Sequence, residues 1–215
     1  MVDLDSISTI NKIAEKAAPG RQPAFIAAHV LKAVEIIASG LGVGRQQLAK
    51  ELGLGEGTTR TIVKRFRDEG LIEVTRRGMT LTDRSNTLLN GIRKRISSTE
   101  LSQAGITVGA CDYAVLVKGV TSHVKSGVEQ RDSALMAGAK GATTLVYRGN
   151  QFHVPGVEVE PSVLLVKELI SRLKPEEGDI VIIGTANSIL KAELGAKAAA
   201  LEMLERVTSI CSINL

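Results

Sequence analysis

Aromatic side chains are nearly missing from this chain: 215 residues carry three Phe, two Tyr and no Trp. A core must therefore be built from Ala, Val, Ile and Leu. A single-stranded nucleic-acid platform, which stacks bases on aromatic faces, is disfavoured for the same reason. Cysteine is as scarce. Cys111 and Cys211 stand alone, without the short spacing of a metal site, and read as reduced thiols. No apolar run reaches membrane length, and no charged-then-apolar leader opens the chain, so a cytosolic protein with no membrane partner is expected. There is no GxGxxG or GK[ST] loop and no nucleophile elbow. Asp112, His123 and Ser126 contain the side chains of a hydrolase without the motif that would assemble them. The three histidines, 29, 123 and 153, are scattered. No enzyme, cofactor or metal centre is expected.

What is present is aliphatic and unevenly charged. Hydrophobic residues make up 44% of the chain, enough for real cores, and the length suggests two small domains. The net charge of +4 is not spread evenly. Residues 1–105 carry +5 and residues 106–215 carry −1, while the stretch 45–95 alone carries +6. A basic module beside a neutral one fits phosphate binding in the first half and a different task in the second.

The pattern of 45–95 gives that charge a shape. Residues 45–52 read as a short helix with Leu48, Ala49 and Leu52 inward, and Gly53 turns the chain. In the next helix, Thr58 to Glu69, Thr59, Ile62, Val63 and Phe66 form a stripe at i, i+3, i+4, i+7. Arg60, Thr61, Lys64, Arg65 and Arg67 are left off it. Gly70 ends the helix. Two strands follow, 71–75 and 79–82, with Ile72, Val74 and Leu81 inward and Arg76-Arg77-Gly78 between them. Thr82 is a good N-cap for a further helix. Upstream, an amphipathic helix is expected over 5–18, ended by Pro19-Gly20, and a longer, widely apolar one from Pro23 to near Gly40.

This order is that of a winged helix-turn-helix. The major groove of duplex DNA admits one α-helix, which needs an apolar face for its own domain and a basic face for the groove. The candidate DNA-binding residues are Arg45, Thr58, Arg60, Thr61, Lys64, Arg65, Arg76 and Arg77. Arg60 is the first choice for a guanine, since its fork bonds two acceptors at once, worth roughly 1–3 kcal/mol of discrimination. Arg65 suits phosphates or solvent, and Arg76 and Arg77 the minor groove or flanking backbone. A single basic helix is more often just a solvated face; five elements in the right order, with the charge concentrated on them, outweigh that reading.

The segment LAKELGLGEGTTRTIVKRFRDEGLIEV, followed by MTLTDRSNTLL, resembles bacterial and archaeal winged-helix regulators over residues 24–95. Gly55-Glu56-Gly57 departs from that pattern. Glu56 would repel phosphate, and either accepts from a cytosine amine or caps the helix. The stretch VKSGVEQRDSALMAGAKGATTLVYRGNQFHVPG resembles the C-terminal domain of an archaeal winged-helix family with no assigned function. The resemblance implies a two-domain, regulator-like protein and brings no ligand or catalytic residue.

In the second half, strands at 113–117, 143–148, 151–154 and 179–183 alternate with helices, and a Gly149-Asn150 hairpin breaks the βαβ rhythm. The expected fold class is α+β: an N-terminal winged helix-turn-helix domain (1–96), a small polar boundary at Ser97–Ile106, and a two-layer α/β sandwich-like domain (106–215). In the polar run 127–133, Glu129, Arg131 and Asp132 either line a small-molecule pocket or form an exposed ion-paired face. Asn187 and Ser188, in the run Gly184–Ser188 between strand and helix, offer amides to an anion or simply a tight turn. The function these features imply is a transcriptional regulator binding double-stranded DNA as a homodimer, with a C-terminal sensing or dimerisation domain and a possible small-molecule effector. Its rivals are a winged-helix protein-interaction module and, further off, an enzyme with a winged-helix targeting arm.

Overall fold

The computed structural model describes residues 4–15, 24–102 and 104–213. Pro19, Gly20 and Pro23, the expected helix punctuation, lie outside the described residues, as does Gln103. The chain divides into two compact units, residues 1–92 and 93–215. Among the described residues no helix is long and apolar enough to cross a membrane.

The first unit begins with α1 (Leu4–Ala14), which buries Ile7, Ile10 and Ile13 at helical spacing. In α2 (Ala27–Ser39) seven apolar residues are buried, as its wide stripe requires. Its first turn is closed by His29, whose Nδ1 accepts from the Ile26 amide at 3.2 Å. Burial, and then the Lys32 ammonium, pull His29 down to about 4 from its usual 6.5, so the ring stays a neutral acceptor. α3 (Arg45–Leu52) ends at Gly53 (φ 63°), and the Leu54 amide returns to the Ala49 carbonyl at 3.0 Å. α4 (Glu56–Asp68) buries Thr59, Ile62 and Phe66. It starts two residues earlier than its apolar stripe predicts, because the first turn carries Glu56 and Gly57, which have no core partner to announce them.

The antiparallel hairpin β1 (Ile72–Thr75) and β2 (Gly78–Leu81) follows, then α5 (Asp83–Arg93). Thr82 caps α5 as expected, its Oγ1 accepting from the Ser85 amide at 3.4 Å. One expectation about the hairpin is wrong: Val74 is exposed, although Met79 directly across from it is buried. On its other side β2 is bridged to Val43 by a reciprocal amide–carbonyl pair, Val43 N to Met79 O at 3.0 Å and Met79 N to Val43 O at 2.9 Å. Met79 is therefore central, and Val74 sits on an edge. The bridge brings two backbones so close that a Cβ on Gly42 would lie 2.3 Å from the Arg77 carbonyl oxygen and one on Gly78 2.5 Å from the Gly42 carbonyl carbon. Only glycine fits at either position.

The second unit is an antiparallel five-stranded sheet. Its strands are β3 (Ile96–Leu101), β4 (Cys111–Val117), β5 (Gly141–Arg148), β6 (Gln151–His153) and β7 (Ile180–Ala186), in the order β3-β4-β7-β5-β6. The expected boundary at Ser97–Ile106 is corrected here. Residues 96–101 pair with β4, from Ile96↔Val117 to Leu101↔Asp112, and the units part at Ile92/Arg93. β3 reads as linker because it is an edge strand of small, half-exposed polar residues. The β5–β6 hairpin turns through Gly149 and Asn150 at φ 58° and 61°, the left-handed pair a two-residue hairpin favours.

The mixed α+β class is as expected, but the layering is richer. α7 (Val163–Leu173), capped by Ser162 through the Leu165 amide, covers one face. There Leu165, Leu169 and Leu173 cluster with Ala114, Leu116, Leu145, Tyr147, Val181 and Ile183. α6 (Val128–Met136) and α8 (Ile189–Ile213) cover the other: a Cβ on Gly184, the neighbour of Ile183 and so turned to the opposite side, would lie 2.4 Å from the Ala192 carbonyl oxygen. Hence there are three layers rather than two, and α8 is Ala-rich because its backbone lies almost on the sheet. β7, buried at every residue, is covered on both faces. In α6 the pattern is inverted: Gln130, Ser133 and Ala134 face in, while Val128, Leu135 and Met136 are exposed.

Candidate nucleic-acid interface

α4 is divided along its length. From its start as far as Lys64, Thr58 is half-buried and Arg60, Thr61 and Lys64 are exposed, around a buried stripe of Thr59 and Ile62. Neither α4 nor α3 has a side-chain N-cap: Gly55 and Gly44 occupy those positions, both in ordinary extended conformation (φ −66° and −77°). A Cβ on Gly44, Gly55 or Gly57 would meet nothing within 4 Å. Neither space nor φ asks for glycine at Gly44 or Gly55, and space does not ask for it at Gly57. The first amides of both helices are thus left without side-chain cover, which is the arrangement that accepts phosphate at a helix N-terminus. Glu56 is exposed in the first turn and forms no cap. Thr61 Oγ1 donates to the Gly57 carbonyl at 3.2 Å, so to a partner it offers an acceptor rather than a donor.

The second half of α4 is tied to the domain. Arg65 is half-buried, and its Nη1 donates to the Ile13 and Glu15 carbonyls at 2.5 and 2.6 Å, where α1 ends. Its guanidinium lies 5.2 Å from the centroid of the Phe25 ring. A cation on the free carbonyls of a helix C-terminus is doubly favourable, through charge-assisted bonds and through the helix dipole. Arg65 is therefore a clamp for α1, not a group held out toward phosphates or solvent. Its position just off the core stripe could not distinguish these roles, because the carbonyls it serves lie some fifty residues away. Lys12 reinforces the same junction, 2.8 Å from Glu69. Arg67 remains exposed.

The other candidates lie at two exposed sites. Arg45 opens α3 next to the bare Gly44 cap. Arg76 and Arg77 form the hairpin tip, where the Arg77 amide donates to Thr75 Oγ1 at 3.2 Å. The Val43–Met79 bridge steadies this hairpin. That third strand leaves no mark in the sequence, since a one-residue bridge has no period to detect. Nor does the sequence mark Leu41, which is fully exposed one residue before Gly42, beside the hairpin.

In the second unit the suggested ligand residues do not converge. Arg131 turns to its neighbour Asp132 at 3.2 Å, both exposed, and Glu129 faces Arg206 at 3.7 Å. This is the ion-paired surface that was one of the two readings of the run. Within Gly184–Ser188 the first three residues continue β7, so only Asn187 and Ser188 form the exposed turn, and the Ser188 carbonyl accepts from the Ala192 amide. Buried ionisable groups elsewhere hold the fold together. Asp112 accepts from the Ala104 amide and Thr107 Oγ1, both at 2.8 Å. Asp179 accepts from the Gly119 and Glu176 amides, both at 2.9 Å. Glu193 and Lys197 pair at 2.6 Å inside α8, with the ammonium 5.7 Å from the Tyr113 ring centroid. Asp112 lies at the start of β4 and His123 beyond its other end, so they form no catalytic pair.

Comparisons with known proteins also divide the chain in two, with residues 97–107 between the matched stretches. Residues 28–96 match the family described as CggR N-terminal DNA binding domain, and residues 108–203 match a domain of unknown function, DUF4443. A solved structure, a hypothetical protein from Pyrococcus horikoshii OT3, is similar over 85% of this chain and 94% of its own length, at 26% identity and a TM-score of 0.71. None of the curated proteins matches. The first unit is thus similar to a DNA-binding domain, and most of the chain to an archaeal hypothetical protein.

Proposed function

We propose that this chain is a DNA-binding transcriptional regulator that lays the first half of α4 in the major groove. The observation that carries the reading is the division of α4: Arg60, Thr61 and Lys64 project from an uncapped, glycine-flanked end, while Thr59, Ile62 and Phe66 anchor the helix. Similarity of this unit to a DNA-binding domain supports it. Arg60 is assigned a bidentate guanine contact, Lys64 and Arg45 phosphates, and Arg76 and Arg77 the flanking backbone or minor groove. Thr58 and Thr61 line the entering end. Arg65, held by the Ile13 and Glu15 carbonyls, makes none of these contacts. Two copies, each reading a half-site, make the binding unit. The second unit is assigned pairing or sensing and no catalytic step.

The test is a titration of labelled duplex of mixed sequence with the full chain at several salt concentrations. Each phosphate neutralised contributes about −0.9 to the slope of log K against log salt. A steep negative slope is expected, with Arg77→Ala making it shallower by about one contact. Absence of binding, or binding indifferent to salt, overturns the reading. Nuclease-resistant capture of a protein by a chain that ignores duplex would favour the interaction module instead.

A further inference from the structure

Eleven large apolar side chains are exposed among the described residues, and five of them fall between positions 157 and 170: Val157, Val159, Val163, Leu164 and Ile170. Leu164 is 80% and Val163 69% exposed. Single exposed apolar residues need no explanation, but a group of this kind marks a surface that is covered in use. α7 buries Leu165, Leu169 and Leu173 against the sheet, so Val163, Leu164, Lys167 and Ser171 form its outer face.

The charges around this face say what covers it. Glu158 and Glu160 lead into the helix, Lys167 lies on its outer face, and Lys174 stands at its far end, all exposed. Arg172 is different: its Nε is turned to Glu168 at 3.2 Å. The acidic lead-in and basic end also suit the dipole of α7 itself, whereas the apolar start of the outer face has no such reason within the chain. A second copy of α7 laid antiparallel brings the carboxylates of each copy alongside the lysines of the other, across a shared Val163–Leu164 centre. A parallel copy would set like charges together. An interface across a two-fold axis must be complementary to itself, and this face is.

We propose that two copies of this chain associate through the outer face of α7, antiparallel across a two-fold axis. This deepens the dimer invoked under the proposed function, but it is measured without DNA, so either can fail alone. The test is sedimentation velocity of the full chain over a range of concentrations at low salt. Wild type is expected to dimerise, and Leu164→Asp to raise the dissociation constant at least tenfold with an unchanged circular dichroism spectrum. E158K/E160K and K167E/K174E should each be monomeric alone and form a one-to-one dimer when mixed, since only the mixture restores opposite charges at both contacts. A monomeric wild type, a dimer indifferent to Leu164→Asp, charge-reversed variants that stay dimeric alone, or a mixture no more associated than its parts overturns the proposal.

Discussion

Arg60 and Arg65 sit on the same helix, little more than one turn apart, and do opposite things. Arg60 projects from an exposed turn; Arg65 reaches across to α1 and holds two carbonyl oxygens, with its guanidinium over the Phe25 ring. Both are basic and both lie off the apolar stripe of α4. The difference is imposed by what packs against each end. α1 closes the second half of the helix, and the first half is left with glycines and unshielded amides. A helix that presents one end to a partner needs this asymmetry, since the other end must be immobile for the first to be held in a fixed orientation.

The sharpest way to break the comparison is to remove each arginine in turn. Arg65→Ala should lower stability by about 2–3 kcal/mol, the scale of lost charge-assisted bonds with two carbonyls left unpaired, read as a lower midpoint in urea. A loss below that of an ordinary surface change would mean the clamp is ornamental. Arg60→Ala should leave stability within about 0.5 kcal/mol, yet erase roughly 1–3 kcal/mol of preference between good and poor duplexes. If it weakens all duplexes equally, Arg60 is a phosphate contact and its role is misassigned.

His29 offers a smaller effect confined to the first unit. Its folded value of about 4 lies below the ordinary 6.5, so between those values the unfolded chain holds a proton that the folded one refuses. Stability is thus complete above pH 6.5 and falls as pH drops toward 4. The loss is about 2 kcal/mol once the shift is discounted for partial exposure. Urea midpoints for His29→Gln should be flatter over this window; an unchanged profile would show that another group is responsible. Smallest is Gly57→Ala. A helical glycine with open space around it should gain about 0.5–1 kcal/mol of stability on replacement. If a phosphate approaches that backbone, duplex affinity should fall while stability rises. Affinity that rises with stability would show that nothing comes close there.

The two units were unequally legible. In the first, Leu48, Leu52, Ile62 and Phe66 recur at helical spacing, and Gly53, Gly70 and Thr82 punctuate them, so periodicity and chain direction almost dictate the order of elements. The errors there, Val74 and Arg65, come from long-range neighbours, the Val43 bridge and the end of α1. In the second unit β3 read as linker, because an edge strand needs no strong alternation. Likewise the polar run 127–133 gave no sign that Gln130 and Ser133, with Ala134, are the buried side of α6. Glu129, Arg131 and Asp132 share a short stretch of sequence, yet only coordinates show that they satisfy one another and Arg206 in pairs.

Local pattern settled which segments of this chain are helix, hairpin or strand in the first ninety residues, and where its positive charge is concentrated, because turn chemistry and apolar spacing act between residues a few positions apart. Folding alone decided which cations are clamps and which are presented, that the sheet is covered on both faces, and that one side of α7 is left apolar. Those outcomes depend on which distant carbonyl, ring or strand arrives beside a given side chain, and spacing along the chain does not encode that proximity.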